Sequence, residues 1–237
     1  MKLTLKDSLH AKIRRVNPAY NFLQSIMQDA NVYLFGGGVR DYLDGMLDSS
    51  RDLDFVIESK SGRLDIGRYL ENSGSTSYTK NRFGGYKIVF SDDLVFDVWN
   101  LEDTWAFKTR RLPTSAESLM DSVYLNIDGL VYSIASDTYL RRCDELYAAM
   151  RKKRRIDVVY DETPFEDLNL LRALVLKKKY DMLLSSRLKS KLYERYRQNQ
   201  AEAVKRMLDL EVSHYGSSML SKTELIYELE SAKQEAR

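Results

Sequence analysis

The apolar run Val32-Tyr33-Leu34-Phe35 stops on three consecutive glycines, Gly36-Gly37-Gly38, and a helical pattern starts at once with Val39, Tyr42, Leu43 and Met46 on one side. A short apolar run, a glycine turn and an amphipathic stretch in that order predict a buried strand, a tight turn and a helix. Ahead of it, Leu9, Ile13 and Val16 lie at helical spacing up to a break at Pro18, and a second helical stretch runs from Tyr20 to Asp29. Behind it, Leu53 to Ile57 reads as a strand and Leu64 to Leu70 as a helix. Tyr86 to Phe90 and Leu94 to Val98, joined by Ser91-Asp92-Asp93, have the spacing and turn chemistry of a hairpin, and Leu130 to Ile134 is a further strand. From about Thr138 the strand signal fades. Apart from Ile156 to Tyr160 the remainder is helical, with an apolar stripe through Leu168, Leu171, Leu174 and Val175. Glycine divides the chain the same way, ten of the eleven falling before residue 130. The pattern predicts an N-terminal helical lead-in over 1–28, an α+β head over 29–150 and an all-helical domain over 151–237.

Composition narrows the setting. With 237 residues, 43% of them apolar and 30% charged, the chain is long enough for a sizeable core. No apolar run approaches the roughly 20 residues of a membrane span, and Met1 to Asp7 carries no apolar signal-peptide core. Cys143 is the single cysteine, and the two histidines, His10 and His214, lie far from it and from each other. That excludes an intrachain disulfide and argues against a Cys/His zinc site. These features lead us to expect a cytoplasmic protein with no membrane association. Charge is uneven: residues 1–150 hold 18 Lys and Arg against 21 Asp and Glu, and residues 151–237 hold 19 against 14. The basic half includes Arg151-Lys152-Lys153-Arg154-Arg155 and Lys177-Lys178-Lys179, two clusters able to follow a phosphate backbone, although such runs are commonly solvated faces.

Three carboxylates carry the chemistry. In Arg51-Asp52-Leu53-Asp54-Phe55-Val56-Ile57, strand alternation puts Asp52 and Asp54 on one face and Leu53, Phe55 and Ile57 on the other. Two adjacent carboxylates repel each other and call for a cation, and oxygen ligands on a rigid strand suit Mg²⁺. Asp97 interrupts the apolar strand Leu94 to Trp99, where a lone charge is costly unless paired or metal-bound. Three convergent carboxylates are able to hold two ions. The plainer alternative has Arg51 or Arg40 neutralising Asp52, with Asp97 on an edge strand. The glycine turn favours the first reading, because glycine admits a phosphate chain close to the backbone and the following helix start favours an anion. Neither a P-loop nor a dinucleotide fingerprint is present, since Asp41 stands where the latter needs its last glycine.

Taken together, Gly36-Gly37, Val39-Arg40-Asp41, Leu43, Gly45 and then Asp52-Leu53-Asp54 resemble the head-domain signature of the poly(A) polymerase and class II CCA-adding enzyme family. These are nucleotidyltransferases of the polymerase-β-like superfamily. The family order is G-G-x-V-R-D-x-L-x-G followed by D-[IL]-D, and every fixed position is matched. Arg82-Phe83-Gly84 resembles the family's Arg-Phe-Gly element. The resemblance implies a mixed sheet flanked by helices followed by a helical neck-like domain. It implies Asp52, Asp54 and Asp97 as catalytic, metal-holding residues for Mg²⁺, with two ions, and Gly36, Gly37, Arg40, Asp41 and Arg82 at the nucleotide.

The likeness thins further on. Ser122 to Tyr132 aligns with the family's R-R-D-F-T-x-N-A-x-x-Y, but Ser122 and Val123 replace the arginines, Tyr124 the aspartate and Asp128 the asparagine. Arg110 and Arg111 are candidates to restore the charge. With Arg172 in register with the base-selecting element E-D-x-x-R and its following Arg-Ala, Glu166 replaces the aspartate and Asn169 the arginine. Glu166, Asn169 and Arg172 therefore either read a base or open a core helix. The body and tail domains that follow the neck in full CCA-adding enzymes have no counterpart before Arg237, so the resemblance covers about residues 30–175.

The function expected is transfer of a nucleoside monophosphate from an NTP, ATP or CTP, to an acceptor hydroxyl with release of pyrophosphate. The family suggests an RNA 3′ end, foremost tRNA. Two alternatives remain at this stage: a stand-alone transferase of toxin or phage-defence type acting on a protein, small molecule or specific RNA, and a nucleotide-binding sensor without turnover. Base preference, acceptor and oligomeric state are not legible in the sequence.

Overall fold

Helix α1 (Leu5–Arg14) starts where the Thr4 hydroxyl accepts from the Asp7 N–H, and buries Leu5, Leu9 and Ile13 at helical spacing. Pro18 does not break α2 (Asn17–Asp29) but sits in its first turn, where a missing N–H does no harm. The computed structural model describes residues 3–71, 73–75, 77–109, 112–197 and 199–235. After α2 come β1 (Ala30–Phe35), α3 (Gly37–Leu43), β2 (Asp52–Ser59), α4 (Ile66–Glu71), β3 (Ser77–Lys80), β4 (Tyr86–Ser91), β5 (Leu94–Asn100), α5 (Trp105–Lys108), β6 (Val131–Ser133), β7 (Thr138–Tyr139) and α6 (Cys143–Lys153). Then follow β8 (Arg155–Ile156), α7 (Glu166–Tyr180), β9 (Leu183–Leu184), α8 (Ser186–Tyr196), α9 (Gln200–Tyr215) and α10 (Lys222–Glu235).

The chain forms two compact units, one of residues 1–123 with 128–147, the other of residues 124–127 with 148–237. In the first, seven strands form a mixed sheet in the order β3-β4-β5-β2-β1-β6-β7. Within it β2 and β5 run parallel and the other pairs antiparallel. One face is apolar: Phe55 meets Phe96 at 4.8 Å between ring centroids, Phe96 meets Phe90 at 4.9 Å, and Phe90 meets Phe22 of α2 at 5.7 Å. Leu34, Leu53, Phe55, Ile57, Ile88 and Phe96 are almost wholly excluded from solvent there. This layer of helix on sheet is the core that frees the opposite face for polar side chains.

In the second unit β8 and β9 pair in parallel over two residues each, a short strand contact among elements otherwise helical. Helix α7 packs on α9, and α10 packs on α8 and α9. Ser185 caps α8 by accepting from the Leu188 N–H. Glu211, fully buried on α9, accepts from the Leu220 N–H at 3.0 Å and the Ser218 hydroxyl at 2.9 Å, and so fixes the turn into α10. No helix among the described residues is long and apolar enough to cross a membrane.

Candidate active site

The carboxylates are brought together by strand register. One row crosses the sheet from Val131 through Phe35, Asp54, Asp97 and Lys87 to Thr79, each residue directly opposite the next. Directly opposite residues share a face, so Asp54 and Asp97 are neighbours across the parallel β2–β5 pair, and Asp52 joins them two residues back along β2. Phe35, on the same row, meets Trp99 edge to face at 5.9 Å. Asp97 lies on an interior strand, not on an edge as the plainer alternative supposed.

The cation paired with Asp52 is Lys87, where the plainer alternative expected Arg51 or Arg40. The Lys87 ammonium stands 3.6 Å from Asp52 and 3.7 Å from Asp97. Burial pushes the Asp97 carboxyl above the usual carboxylate range, Lys87 draws it back, and the Asp52 charge raises it again. Among the described residues no three His, Cys, Asp or Glu side chains are gathered closely enough to enclose a metal ion. Carboxylate oxygens on a rigid strand pair are the donor type that suits a hard divalent cation, and in this structure the Lys87 ammonium lies against two of the three.

The glycine turn adjoins this row because β1 ends at Phe35, opposite Asp54. Gly36 takes φ +59°, a conformation that L side chains rarely adopt, and its N–H donates to the Leu130 carbonyl at 2.8 Å. A Cβ on Gly38 would lie 3.0 Å from Leu34 and 3.1 Å from Leu53, so the start of α3 presses closely onto β1 and β2. Arg40 is buried, with its guanidinium 2.6 Å from Asp128 and 3.8 Å from Asp41. A Cβ on Gly37 would lie 3.4 Å from Arg40 Nη2, which places that guanidinium beside the turn. Asp41 is half-buried, and its Oδ1 lacks a hydrogen-bond partner.

Arg82 lies on the exposed turn between β3 and β4, its guanidinium 4.8 Å over the Phe83 ring. Asp103 anchors that turn. Itself buried, it takes two hydrogen bonds from Arg63 (3.0 and 2.5 Å) and an ion pair from Lys108 at 3.0 Å, while Lys108 also donates to the Phe83 carbonyl at 2.5 Å. Gly84 closes the turn at φ +100°, where a Cβ would collide with Asp103 at 2.9 Å. Arg110 and Arg111 fall outside the described residues.

Glu166, Asn169 and Arg172 all lie on α7, in the second unit, spaced three residues apart and half-buried. Asn169 donates to the Thr163 hydroxyl at 3.2 Å, and Glu166 stands 3.9 Å from Lys191. Glu166 lines a cleft of about 670 Å³ with Asp167, Arg195, Tyr196 and Arg206, all of the second unit. There Arg195 holds Asp167 through two hydrogen bonds of 2.8 and 3.2 Å, and the Tyr196 hydroxyl donates to it at 2.9 Å. Lys87 and Asp103, which hold the carboxylate row and the β3–β4 turn, are residues that motif matching passes over. The hairpin pattern holds the signal for the first, since pairing about Ser91-Asp92-Asp93 sets Lys87 opposite Asp97.

The sequence matches no family model and no curated protein. Solved structures do match. A CCA-adding enzyme complexed with CTP superposes with a TM-score of 0.62 at 16% identity, over 94% of this chain and 51% of that one. The fold is that of the CCA-adding enzymes. The Thermotoga maritima CCA-adding enzyme complexed with tRNA matches with a TM-score of 0.61 at 16% identity, over 93% and 50% of the two chains. A tRNA-processing enzyme with CTP gives 0.58 at 19%, over 91% and 57%. The chain thus spans about half the length of these solved structures.

Proposed function

We propose that the protein is a nucleotidyltransferase that moves a nucleoside monophosphate from ATP or CTP to an acceptor hydroxyl at an RNA 3′ end, foremost that of tRNA, in the cytoplasm. The observation that carries the reading is the register that sets Asp54 opposite Asp97, with Asp52 on the same face and the Gly36–Gly38 turn at the end of the adjoining strand. Support comes from CCA-adding enzymes of the same fold in complex with CTP, ATP and tRNA.

Asp52, Asp54 and Asp97 would hold Mg²⁺, and two such ions would activate the attacking oxygen and stabilise the departing pyrophosphate. The chain's own residues bind and orient. Gly36 and Gly37 let the triphosphate approach the backbone, and Arg40 presents charge beside that turn while Asp128 fixes its direction. Asp41 lies beside Arg40 on α3, and Arg82 stands on the turn that Asp103 anchors. Glu166 and Asn169 offer acceptors and donors to a base edge, with one charge fewer than an Asp–Arg pair, and Arg172 lies one turn further along α7. Rigid strands beneath the carboxylates supply positioning, the largest protein contribution to phosphoryl transfer.

The test is label transfer from each α-phosphate-labelled NTP, with Mg²⁺, to total tRNA, to total protein and to buffer alone, beside a thermal shift with the same nucleotides. Label on tRNA that depends on Asp54 is the expected result. Label on protein alone, or a thermal shift without transfer, overturns the RNA-terminal reading in favour of a protein-modifying transferase or a nucleotide sensor respectively.

A further inference from the structure

Lys87 is a charged member of the carboxylate row to which the proposed chemistry gives no role. It comes from β4, directly opposite Asp97, and its ammonium reaches both Asp97 and Asp52 across the strand pair. A lysine at this position is half exposed and tethered by a flexible stem, so it is able to swing away without moving the backbone. Its charge is compact and strongly hydrated, suited to balance two carboxylates and poorly suited to share them with a dication. Two like charges a few ångströms apart on a surface face repel, and the repulsion falls with added salt.

We propose that Lys87 is a built-in counter-ion that competes with the divalent cation for Asp52 and Asp97, so that loading the metal requires the lysine to leave. This rests on the metal-holding reading of the same carboxylates. Without metal, the ammonium offsets the mutual repulsion of the carboxylates and keeps the bare sheet face stable. With metal, the displaced side chain stays on the rim of the site. The threshold metal concentration is then set by β4 as well as by the ligands, and Lys87 acts as a positioning residue that determines when the site is loaded.

Mn²⁺ binding to the full chain, followed by electron paramagnetic resonance without nucleotide, tests this directly. Lys87→Gln keeps the stem and removes the charge, Lys87→Arg keeps the charge, and Asp54→Asn reports whether the ion binds at the row at all. Thermal melts check that each variant is folded. We expect Lys87→Gln to bind Mn²⁺ roughly fivefold more tightly than wild type at low salt, the gap narrowing as salt is raised. Lys87→Arg should stay within about twofold of wild type, and Asp54→Asn should abolish the bound signal. Equal or weaker binding by Lys87→Gln, with wild type still binding through Asp54, overturns the competition while leaving the carboxylate reading intact. Absence of Asp54-dependent Mn²⁺ binding in both wild type and Lys87→Gln overturns the two together.

Discussion

A single methyl group separates a working glycine turn from a strained one. Gly38 touches Leu34 and Leu53 so closely that a Cβ would sit at 3.0–3.1 Å, against side chains that are themselves fully buried. Gly38→Ala should therefore destabilise the protein by about 1–3 kcal/mol through overpacking, read as a lower urea midpoint with an unchanged slope. The motif made this turn legible, because three glycines between a strand and a helix have few other uses. The partner of Arg40 was less legible. Asp128 stands 88 residues away, and only the pairing of β1 with β6 brings the two side chains together. Sequence spacing holds no trace of such a contact. The carboxylates are the opposite case: alternation on β2 placed Asp52 and Asp54 on one face before any fold was known, and the parallel register then added Asp97.

Elements show where local pattern suffices and where it fails. Strand β3 escaped the sequence reading because Ser77, Tyr78, Thr79 and Lys80 are all exposed and present no apolar alternation, their pairing with β4 coming from the turn that follows. That turn depends on Asp103. Asp103→Ala removes the acceptor for Arg63 and Lys108, whose ends are partly in water, and should lower stability by about 1–2 kcal/mol in denaturant melts. The second unit offers a pH test. Two hydrogen bonds from Arg195, outweighing partial burial, together with the Tyr196 hydroxyl, hold the Asp167 carboxyl below its ordinary range. A depressed native pKa adds stability above the unfolded carboxylate value near pH 4, and that stability is lost as pH falls through the native value. Asp167→Asn should thus melt earlier than wild type at neutral pH, by about 0.5–1 kcal/mol given its exposure, with the gap closing below pH 4.

Across the whole molecule, charge is more committed than a count of basic residues suggests. Lys177 pairs with Glu228, and Lys178 pairs with Glu224 at 2.8 Å, so part of the second basic cluster secures α10. Arg154 is held by Asp181, and Arg151 lies 4.8 Å over the Tyr180 ring. Lys152 and Lys153 remain exposed on α6. If RNA is the acceptor, Lys152→Glu with Lys153→Glu should weaken tRNA binding and flatten its salt dependence by roughly one to two in log–log slope, whereas Lys178→Ala should lower melting temperature with little change in that slope. The sequence expects a separate lead-in over 1–28 and a boundary at 150, whereas the lead-in belongs to the first unit and residues 124–127 to the second. The cleft of the second unit was not legible in the sequence, since its walls come from three helices whose packing no local periodicity specifies.

The central claim is that the carboxylate row on the sheet carries nucleotidyl transfer. Its most direct test is the initial rate of pyrophosphate release with RNA acceptor, measured for wild type and Asp54→Ala at saturating Mg²⁺ and NTP, both shown to be folded. We predict a loss of roughly 10²–10³-fold or more in the variant. A variant that keeps its rate within about twofold of wild type would contradict the account, because no nucleotidyltransferase built on that row could lose its middle carboxylate unharmed.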